Sequence, residues 1–341
     1  IHIPALYRRH ILRIDKRDFP LCRMAEDNYQ CTLDKASIGK ARDELHEIPE
    51  ERLGTLQTLK DWIKQQPWLK TPMDSKFLLN FLRAKKFSQL EARGLLERYW
   101  VRRNKYANWC KGIDPADPQN LKILRDSLSY VPLPGRDKNG RKVVMTRLGQ
   151  IDTSGKSYSY DQIMRATLPV FDTMLRDENV QVNGFVFFMD FTGSTIKLQS
   201  WIGLENSRKQ MDLVQKAYPA RIKQINYYNT GAVFEAVFGM IRQFLSEKIS
   251  NRIKIHGQSM VSVYEQIDMS VLPNEYLPDD YKGPSAGSVK DIVENFIQNE
   301  LLEPKNVAFL RDLYNGPYGV DMLRKPKDDE PQASFRKLNV A

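Results

Sequence analysis

The sequence predicts an α/β fold, with a small all-helical N-terminal domain followed by a layered α/β domain. Strand-like and helical stretches alternate through the middle of the chain. One of the strands, Phe185–Asp190, is apolar on both faces, which is typical of a central strand covered on each side. The predicted domains are an extension over 1–40, a helical domain over 41–118, the α/β domain over 119–310 and a tail over 311–341.

Composition narrows the class of partner. The 341 residues are 41% hydrophobic and 28% charged, as in globular proteins, and the net charge of +10 favours anionic partners. The basic residues lie at the ends of helices and strands, which argues against a nucleic-acid surface. No run of 18 apolar residues predicts a membrane-spanning helix. Cys22, Cys31 and Cys110 are interpreted as reduced thiols, with a Cys22–Cys31 bridge as the alternative.

Apolar periodicity and capping residues predict three helices in the helical domain. They are expected over 38–66, from the N-cap Asp74 through Lys85, and from Ser88 to about Cys110. Arg83, Lys85 and Lys86 form the basic end of the second helix. This basic end is either a solvated helix end or part of a larger basic surface.

The α/β domain is predicted to begin with a hairpin, because Asp137-Lys-Asn-Gly140 is a turn signal. Further elements follow from periodicity. In order, these are a strand over 141–147, a helix over 160–177, the strand Phe185–Asp190, a helix over 196–217, the strands Ile222–Tyr228 and 252–256, and a last helix over 289–302.

The segment 232–250 is predicted to be one helix whose apolar side chains cover about 180° of its circumference, more than the roughly 100° stripe of a surface helix. Either the helix is enclosed in the core, or one face lines a cavity for an apolar ligand. Arg221 and Lys223 before it and Arg252 and Lys254 after it make its surroundings basic. An apolar helix with basic edges suits a protein that binds anionic membranes.

Four stretches carry a resemblance to a known family: FLLNFLRAKKF over 77–87, PARIK over 219–223, FLSEKISNRIKIHG over 244–257 and YEQIDMSVLPNEY over 264–276. Together they resemble the CRAL-TRIO family of lipid-transfer proteins, in particular its tocopherol and retinaldehyde carriers and the clavesins. The resemblance implies a cytoplasmic, monomeric carrier without cofactor, metal or catalytic residues. The carrier would associate reversibly with membranes. The segment 232–250 would be a mobile gate over an apolar cavity, and the ligand would be a tocopherol, a retinoid, a carotenoid or a phospholipid.

The resemblance also implies two sets of site residues. The apolar pocket would be lined by Met164, Thr167, Phe171, Phe185, Phe187, Met189, Ile196, Leu213, Val214, Tyr218, Ile225, Val237, Ile241 and Leu245. A cleft for a phosphoinositide headgroup would be formed by Lys85, Arg221, Lys223, Lys248 and Arg252.

A nucleotide-binding enzyme is the alternative interpretation. The stretch from Gly149 to Ser157 contains Gly155-Lys156-Ser157, and the strand that ends at Asp190 is similar to the Asp-terminated strand of such enzymes. However, five residues separate Gly149 from Gly155, whereas a phosphate-binding P-loop needs four. The predicted helix also begins near Tyr160 rather than at the Gly-Lys pair, so its N-terminus would not point at a phosphate held there.

Overall fold

The computed structural model describes residues 29–231, 234–235, 238–239 and 242–326. All elements named here belong to the compact unit Cys31–Ala341. The first helices precede and surround a short strand, β1 (Leu69–Lys70). They are α1 (Lys35–Leu45), α2 (Arg52–Lys64), α3 (Ser75–Ala84), α4 (Gln89–Lys105), α5 (Ala107–Cys110) and α6 (Pro118–Ser127).

The remaining elements build the α/β part and the chain end. The strands are β2 (Val131–Arg136), β3 (Lys142–Arg147), β4 (Phe185–Asp190), β5 (Ile222–Tyr228), β6 (Ile253–Ile255) and β7 (Gly319–Val320). The helices are α7 (Tyr160–Met174), α8 (Glu178–Asn183), α9 (Ile196–Ile202), α10 (Leu204–Lys216), α11 (Glu247–Ser250), α12 (Met260–Tyr264), α13 (Val289–Phe296) and α14 (Pro304–Asn315). No helix in the described ranges is long and apolar enough to cross a membrane.

Five strands form the main sheet in the order β2-β3-β4-β5-β6. The pair β2–β3 is antiparallel, as the hairpin signal predicts, and the other neighbours are parallel. The central strand β4 is buried on both faces, which confirms the prediction from its apolar sequence. The predicted mixed α/β class with a helical N-terminal region is therefore correct.

The two faces of the sheet have different coverings. Phe187 and Ile225 are register partners and point towards α7, α9 and α10, because side chains alternate along a strand. Phe188 points to the opposite face, where its ring packs edge-on against Tyr276 with centroids 5.1 Å apart. The residues that concern the candidate site therefore lie on the Phe187 face.

Two buried arginines join the helical region to the α/β part. Arg83 is fully buried and donates to both carboxylate oxygens of Glu47, to Glu178 at 3.0 Å and to Gln181 at 2.7 Å. It is thus not part of a solvated helix end. Arg103 on α4 pairs with Asp172 on α7 at 3.1 Å, so a second buried ion pair connects the same two regions.

Several predicted helices are interrupted. The stretch 38–66 is two helices, because His46 adopts a left-handed conformation (φ 58°) and caps α1. The stretch 196–217 is likewise divided at Gly203 (φ 76°). The predicted helix over 289–302 consists of α13 followed by a π-helical turn, Ile297–Leu301.

All three predicted domain borders fall inside helices. The border after 40 lies in α1, the border after 118 in α6 and the border after 310 in α14. Beyond α14, β7 pairs antiparallel with β1 in a small separate sheet. Part of the predicted tail is therefore ordered and paired with the helical region.

Candidate functional site

A large cavity lies between the main sheet and the helices on its Phe187 face. Its volume is about 1430 Å³, with its open mouth included. The sheet contributes one wall, α7 a second, and α9 with α10 a third. None of the described lining residues is charged. A mostly apolar cavity with a few polar groups is the usual form of a small-molecule site.

Half of the predicted pocket residues line this cavity. Those that line the cavity are Met164, Phe171, Phe187, Met189, Val214, Ile225 and Leu245. Val237 and Ile241 lie outside the described residues. The seven come from α7, β4, α10, β5 and the segment before α11, so one cavity unites elements that are far apart in sequence.

Five predicted pocket residues do not line the cavity. Phe185 and Leu213 are fully buried in the packed core. The Thr167 hydroxyl donates to the Ile163 carbonyl of its own helix. Tyr218 instead accepts a bond from Arg103, and Ile196 is 46% exposed on the surface. The resemblance matches residues by their position in the sequence, and this match does not show the direction in which each side chain points.

The cover of the cavity is the segment whose described residues are Phe234, Glu235, Phe238, Gly239 and 242–250. The predicted continuous helix over 232–250 is wrong at its C-terminal end. Helical backbone ends at Arg242, a turn follows over 243–245, and the Ser246 side chain caps the separate helix α11. Leu245 and Ile249, on either side of this cap, line the cavity.

One side-chain amide fixes the end of the cover to α10. The Gln215 Nε2 donates to the Phe244 carbonyl at 2.9 Å, and the Gln215 Oε1 accepts from the Ser246 N–H at 2.9 Å. Further along the cover, Phe234 packs against the cavity residues Phe191 and Tyr227. Aromatic packing of Phe234 and the two hydrogen bonds of the Gln215 amide are thus among the contacts that hold the described part of the cover.

A basic cluster lies close to the cover. We define it as Lys85, Lys86, Arg221, Lys223, Lys248 and Arg252. Partial burial lowers the pKa of Lys248, and the neighbouring charges of Arg252, Lys85 and Arg221 lower it further. The five residues predicted for a headgroup cleft are therefore neighbours in the structure, although they come from three separate parts of the chain.

Comparison with known proteins decides the family. Residues 126–276 match the CRAL/TRIO domain, and residues 48–120 match the Pinta-like, UBA domain. The alpha-tocopherol transfer protein-like protein of Mus musculus is 32% identical over 267 residues, which cover 78% of this chain and 76% of that protein.

The chain belongs to the CRAL/TRIO domain family.

Two further relatives agree with this assignment. The Homo sapiens alpha-tocopherol transfer protein-like protein is 34% identical over 249 residues, or 73% of this chain and 71% of the relative. Clavesin-2 of Rattus norvegicus is 32% identical over 250 residues, or 72% and 75%. This CRAL/TRIO protein is thus a member of a family of lipid-binding transfer proteins.

An acidic residue occupies part of the basic cluster in this CRAL/TRIO protein. The Glu44 carboxylate on α1 accepts from Arg221 at 2.9 Å and from Lys223 at 3.1 Å. Burial raises the pKa of Glu44, but the bond and charge of Lys223 and the bond from Arg221 outweigh burial, so the net pKa is lowered. The carboxylate is therefore ionised and neutralises part of the cluster. Sequence analysis missed this contact because α1 is remote in the chain.

The geometry does not support the nucleotide-binding alternative. Gly149 is explained by packing, because a Cβ there would lie 2.1 Å from the Thr192 carbonyl oxygen. The Asp190 carboxylate accepts from the Tyr276 hydroxyl at 2.6 Å and from the Thr192 N–H at 2.8 Å. Both features that suggested phosphate chemistry thus have structural roles in the CRAL/TRIO fold. The described residues also hold no group of three or more His, Cys, Asp or Glu that could bind a metal ion.

The cavity also contains a polar chain that the sequence did not reveal. Tyr160 donates to Gln210 Oε1 at 2.8 Å, and Gln210 Nε2 donates to the Tyr130 hydroxyl at 3.0 Å. Neither the periodicity of α10 nor the loop before β2 marks these residues as neighbours. These three residues can be recognised as neighbours only when the fold places α7, α10 and the start of β2 around one cavity.

Proposed function

We propose that this protein is a carrier that binds one small hydrophobic, tocopherol- or retinoid-like ligand in the cavity and exchanges it with phosphoinositide-containing membranes. The ligand is carried unchanged, and no bond is made or broken. The observation that supports this proposal best is the cavity itself, which is lined mainly by apolar side chains and bounded by a cover.

The apolar wall accounts for the ligand class. Transfer of apolar surface from water into such a wall is favourable by roughly 25 cal/mol per Å². A charged ligand would lose its hydration without meeting an opposite charge, because the described lining residues are uncharged. Long apolar molecules gain most from this cavity.

The cover accounts for exchange. A ligand that is enclosed on several sides must leave through a movement of some segment, and the cover is joined to α10 through the side chain of Gln215. We propose that this cover is the gate. The basic cluster lies beside it, since Lys248 belongs to α11. Contact with anionic headgroups would therefore place the gate at the membrane surface, because each basic residue there contributes about 1 kcal/mol.

A cavity-filling substitution tests the carrier proposal. Val214 lines the cavity and is only partly buried, so Val214→Trp would place an indole in the ligand space without adding charge. We expect all-trans-retinol and α-tocopherol to bind the parent protein, and Val214→Trp to weaken binding of both at least tenfold. The matched control is Val261→Trp, since Val261 is 70% exposed on α12.

Fluorescence titration of retinol and retention of tritiated tocopherol on gel filtration measure the two affinities. Failure of the parent protein to retain any apolar ligand would refute the proposal. So would equal binding by the Val214 and Val261 variants, because the ligand would then lie elsewhere.

A further inference from the structure

The corner of the molecule that follows β7 exposes two neighbouring apolar side chains. Met322 is 62% exposed and Leu323 is 97% exposed, which makes Leu323 the most exposed large apolar side chain in the part of the chain that the structure describes. Apolar residues scattered singly on a surface are normal, whereas contiguous exposed apolar surface often marks a contact site. We call Met322 and Leu323 the apolar tip.

The turn that carries the apolar tip is fixed at both ends. The Asp321 N–H donates to the Trp68 carbonyl, next to β1, at 2.8 Å. The Asp321 Oδ1 accepts from the Leu323 N–H at 3.0 Å. On the other side of the tip, the Lys325 ammonium pairs with Glu97 on α4. An ordered turn therefore presents the tip to solvent, so little backbone entropy would be lost when a partner binds it.

A hollow with basic side chains lies beside the tip. Its volume is about 660 Å³, with its open mouth included, and Asp321 and Arg324, which flank the tip in sequence, line it together with Lys70. Lys70 is exposed on β1 and has no carboxylate partner among the described residues. Arg324 pairs with Asp321 at 3.4 Å, but its side chain remains exposed. The described lining thus has two cations and one carboxylate, and it favours a negatively charged group.

The apolar tip and the hollow together favour a lipid surface as the partner. A small soluble anion would account for the cations but would leave the tip in water. A stable protein interface needs about 800 Å² from each partner, more than two side chains supply. An anionic membrane suits both features, because its headgroups meet the cations and its acyl region accepts the apolar side chains.

We propose that Met322 and Leu323 insert into an anionic lipid surface while Lys70 and Arg324 contact its headgroups. This contact is separate from the basic cluster, none of whose residues lines the hollow in the described structure. Three acids at 328–330 follow this corner in the sequence, so the apolar tip rather than net charge contributes most of the binding. The inference rests on the proposed carrier function, to which it adds a second site of membrane contact.

Flotation of the whole chain with vesicles tests the proposal. One set of vesicles contains phosphatidylcholine and phosphatidylserine, and the other contains phosphatidylcholine alone. Neither set contains a phosphoinositide, so a headgroup cleft at the basic cluster has no specific ligand. The variants are the double substitution Met322→Ser with Leu323→Ser, and the single substitutions Lys70→Gln and Arg324→Gln. Circular dichroism checks that each variant is folded.

A matched control replaces two exposed apolar side chains that are not neighbours. It is the double substitution Leu53→Ser with Val261→Ser, on α2 and α12. We expect the tip variant to bind both sets of vesicles roughly tenfold more weakly than the parent, or less, because two apolar side chains no longer leave water. The control should bind as the parent does.

The two cations should affect only the anionic vesicles. Lys70→Gln and Arg324→Gln should each weaken binding to the vesicles with phosphatidylserine about fivefold and leave binding to phosphatidylcholine unchanged. A split of this kind separates headgroup contact from apolar insertion.

Insertion itself is measured by an added indole. Leu323→Trp places a tryptophan at the tip, and Val261→Trp places one at an exposed position on α12. Lipids with brominated acyl chains quench an indole that enters the acyl region. We expect these lipids to reduce the fluorescence of Leu323→Trp more than that of Val261→Trp or of the parent.

Four results would overturn the proposal: no binding of the parent to the vesicles with phosphatidylserine, equal binding by the tip variant and the parent, equal losses in the tip variant and its control, or equal quenching at 323 and 261. Retinol retention on gel filtration, measured in parallel, reports on the carrier function separately. If retinol is retained in these cases, only the second membrane contact fails. If the parent retains no retinol, the carrier function itself fails.

Discussion

Two groups of cations in this protein differ in their partners: the buried arginines Arg83 and Arg103, and the residues of the basic cluster. Arg83 is 0% exposed and Arg103 is 1% exposed, and each meets carboxylates inside the protein. Lys248 is exposed, and its charged neighbours lower its pKa because they are cations. The buried pairs hold two parts of the fold together, whereas the cluster leaves positive charge available to an external anion.

What differs is the local supply of carboxylates rather than the type of residue. Glu47 and Glu178 face Arg83, and Asp172 faces Arg103. Within the basic cluster, Glu44 pairs with two cations and Glu91 with Lys85. In the basic cluster the cations thus outnumber the nearby carboxylates, and a negatively charged partner would contact such a surface. Three predictions test this distinction.

The largest effect is expected from loss of a buried arginine. Arg83→Leu removes one of the two cations that pair with Glu47, the other being Arg52, and leaves Glu178 with fewer donors. The free energy of unfolding should therefore fall by about 3–5 kcal/mol. Urea denaturation followed by circular dichroism measures this loss. Arg42→Leu is the control, because Arg42 is an exposed residue of α1 and should change stability by no more than about 0.5 kcal/mol. Equal midpoints for the two variants would show that the buried pairs do not stabilise the fold.

An intermediate effect, on membrane binding rather than stability, is expected from Lys248→Glu. Reversal of one charge near an anionic surface changes binding by about 2 kcal/mol, or roughly 30-fold. Co-sedimentation with phosphatidylcholine vesicles that contain phosphatidylinositol bisphosphate measures it. Lys290→Glu is the control, because Lys290 is exposed on α13, which packs against β2 at the opposite edge of the sheet. If both variants bind these vesicles as the parent does, the cluster is not the membrane contact.

The smallest effect is expected from Glu44→Gln, in the opposite direction. Loss of this carboxylate frees Arg221 and Lys223, so binding to the same vesicles should strengthen about fivefold, which corresponds to about 1 kcal/mol. Glu294→Gln is the matched control, since Glu294 pairs with Arg125 on α6, away from the cluster. Weaker vesicle binding by Glu44→Gln would mean that Glu44 orients the two cations rather than neutralising them.

The sequence predicts the sheet well. Phe185–Asp190 and Ile222–Tyr228 are strands with the predicted ends. For Phe185–Asp190 the reason is that a run that is apolar on both faces has few alternatives in an α/β fold. Half of the pocket residues that the family resemblance implies line the cavity. The strand period fixes which side chains share a face, so Phe187 and Met189 follow from each other.

The sequence predicts the cover and the polar contacts poorly. Residues 243–245 lack glycine and proline, so nothing local marks the turn that ends the helix, and the bonds from Gln215 come from another helix. Arg83 and Lys85 look alike in sequence, yet one is buried and the other partly exposed. Tyr218 is predicted to line the pocket, whereas in the structure it is buried and its hydroxyl accepts from Arg103. Each of these outcomes depends on long-range partners.

The Gln215 contact also bears on which sequence changes the cover tolerates. Both of its bonds end on backbone groups, the carbonyl of Phe244 and the N–H of Ser246. Every residue type supplies a carbonyl, and every type except proline supplies an N–H. The contact itself therefore requires no particular side chain at 244 and excludes only proline at 246, where the Ser246 side chain has the separate role of capping α11. Variation in this stretch would alter the surface that the cover presents to solvent, while its attachment to α10 stays the same.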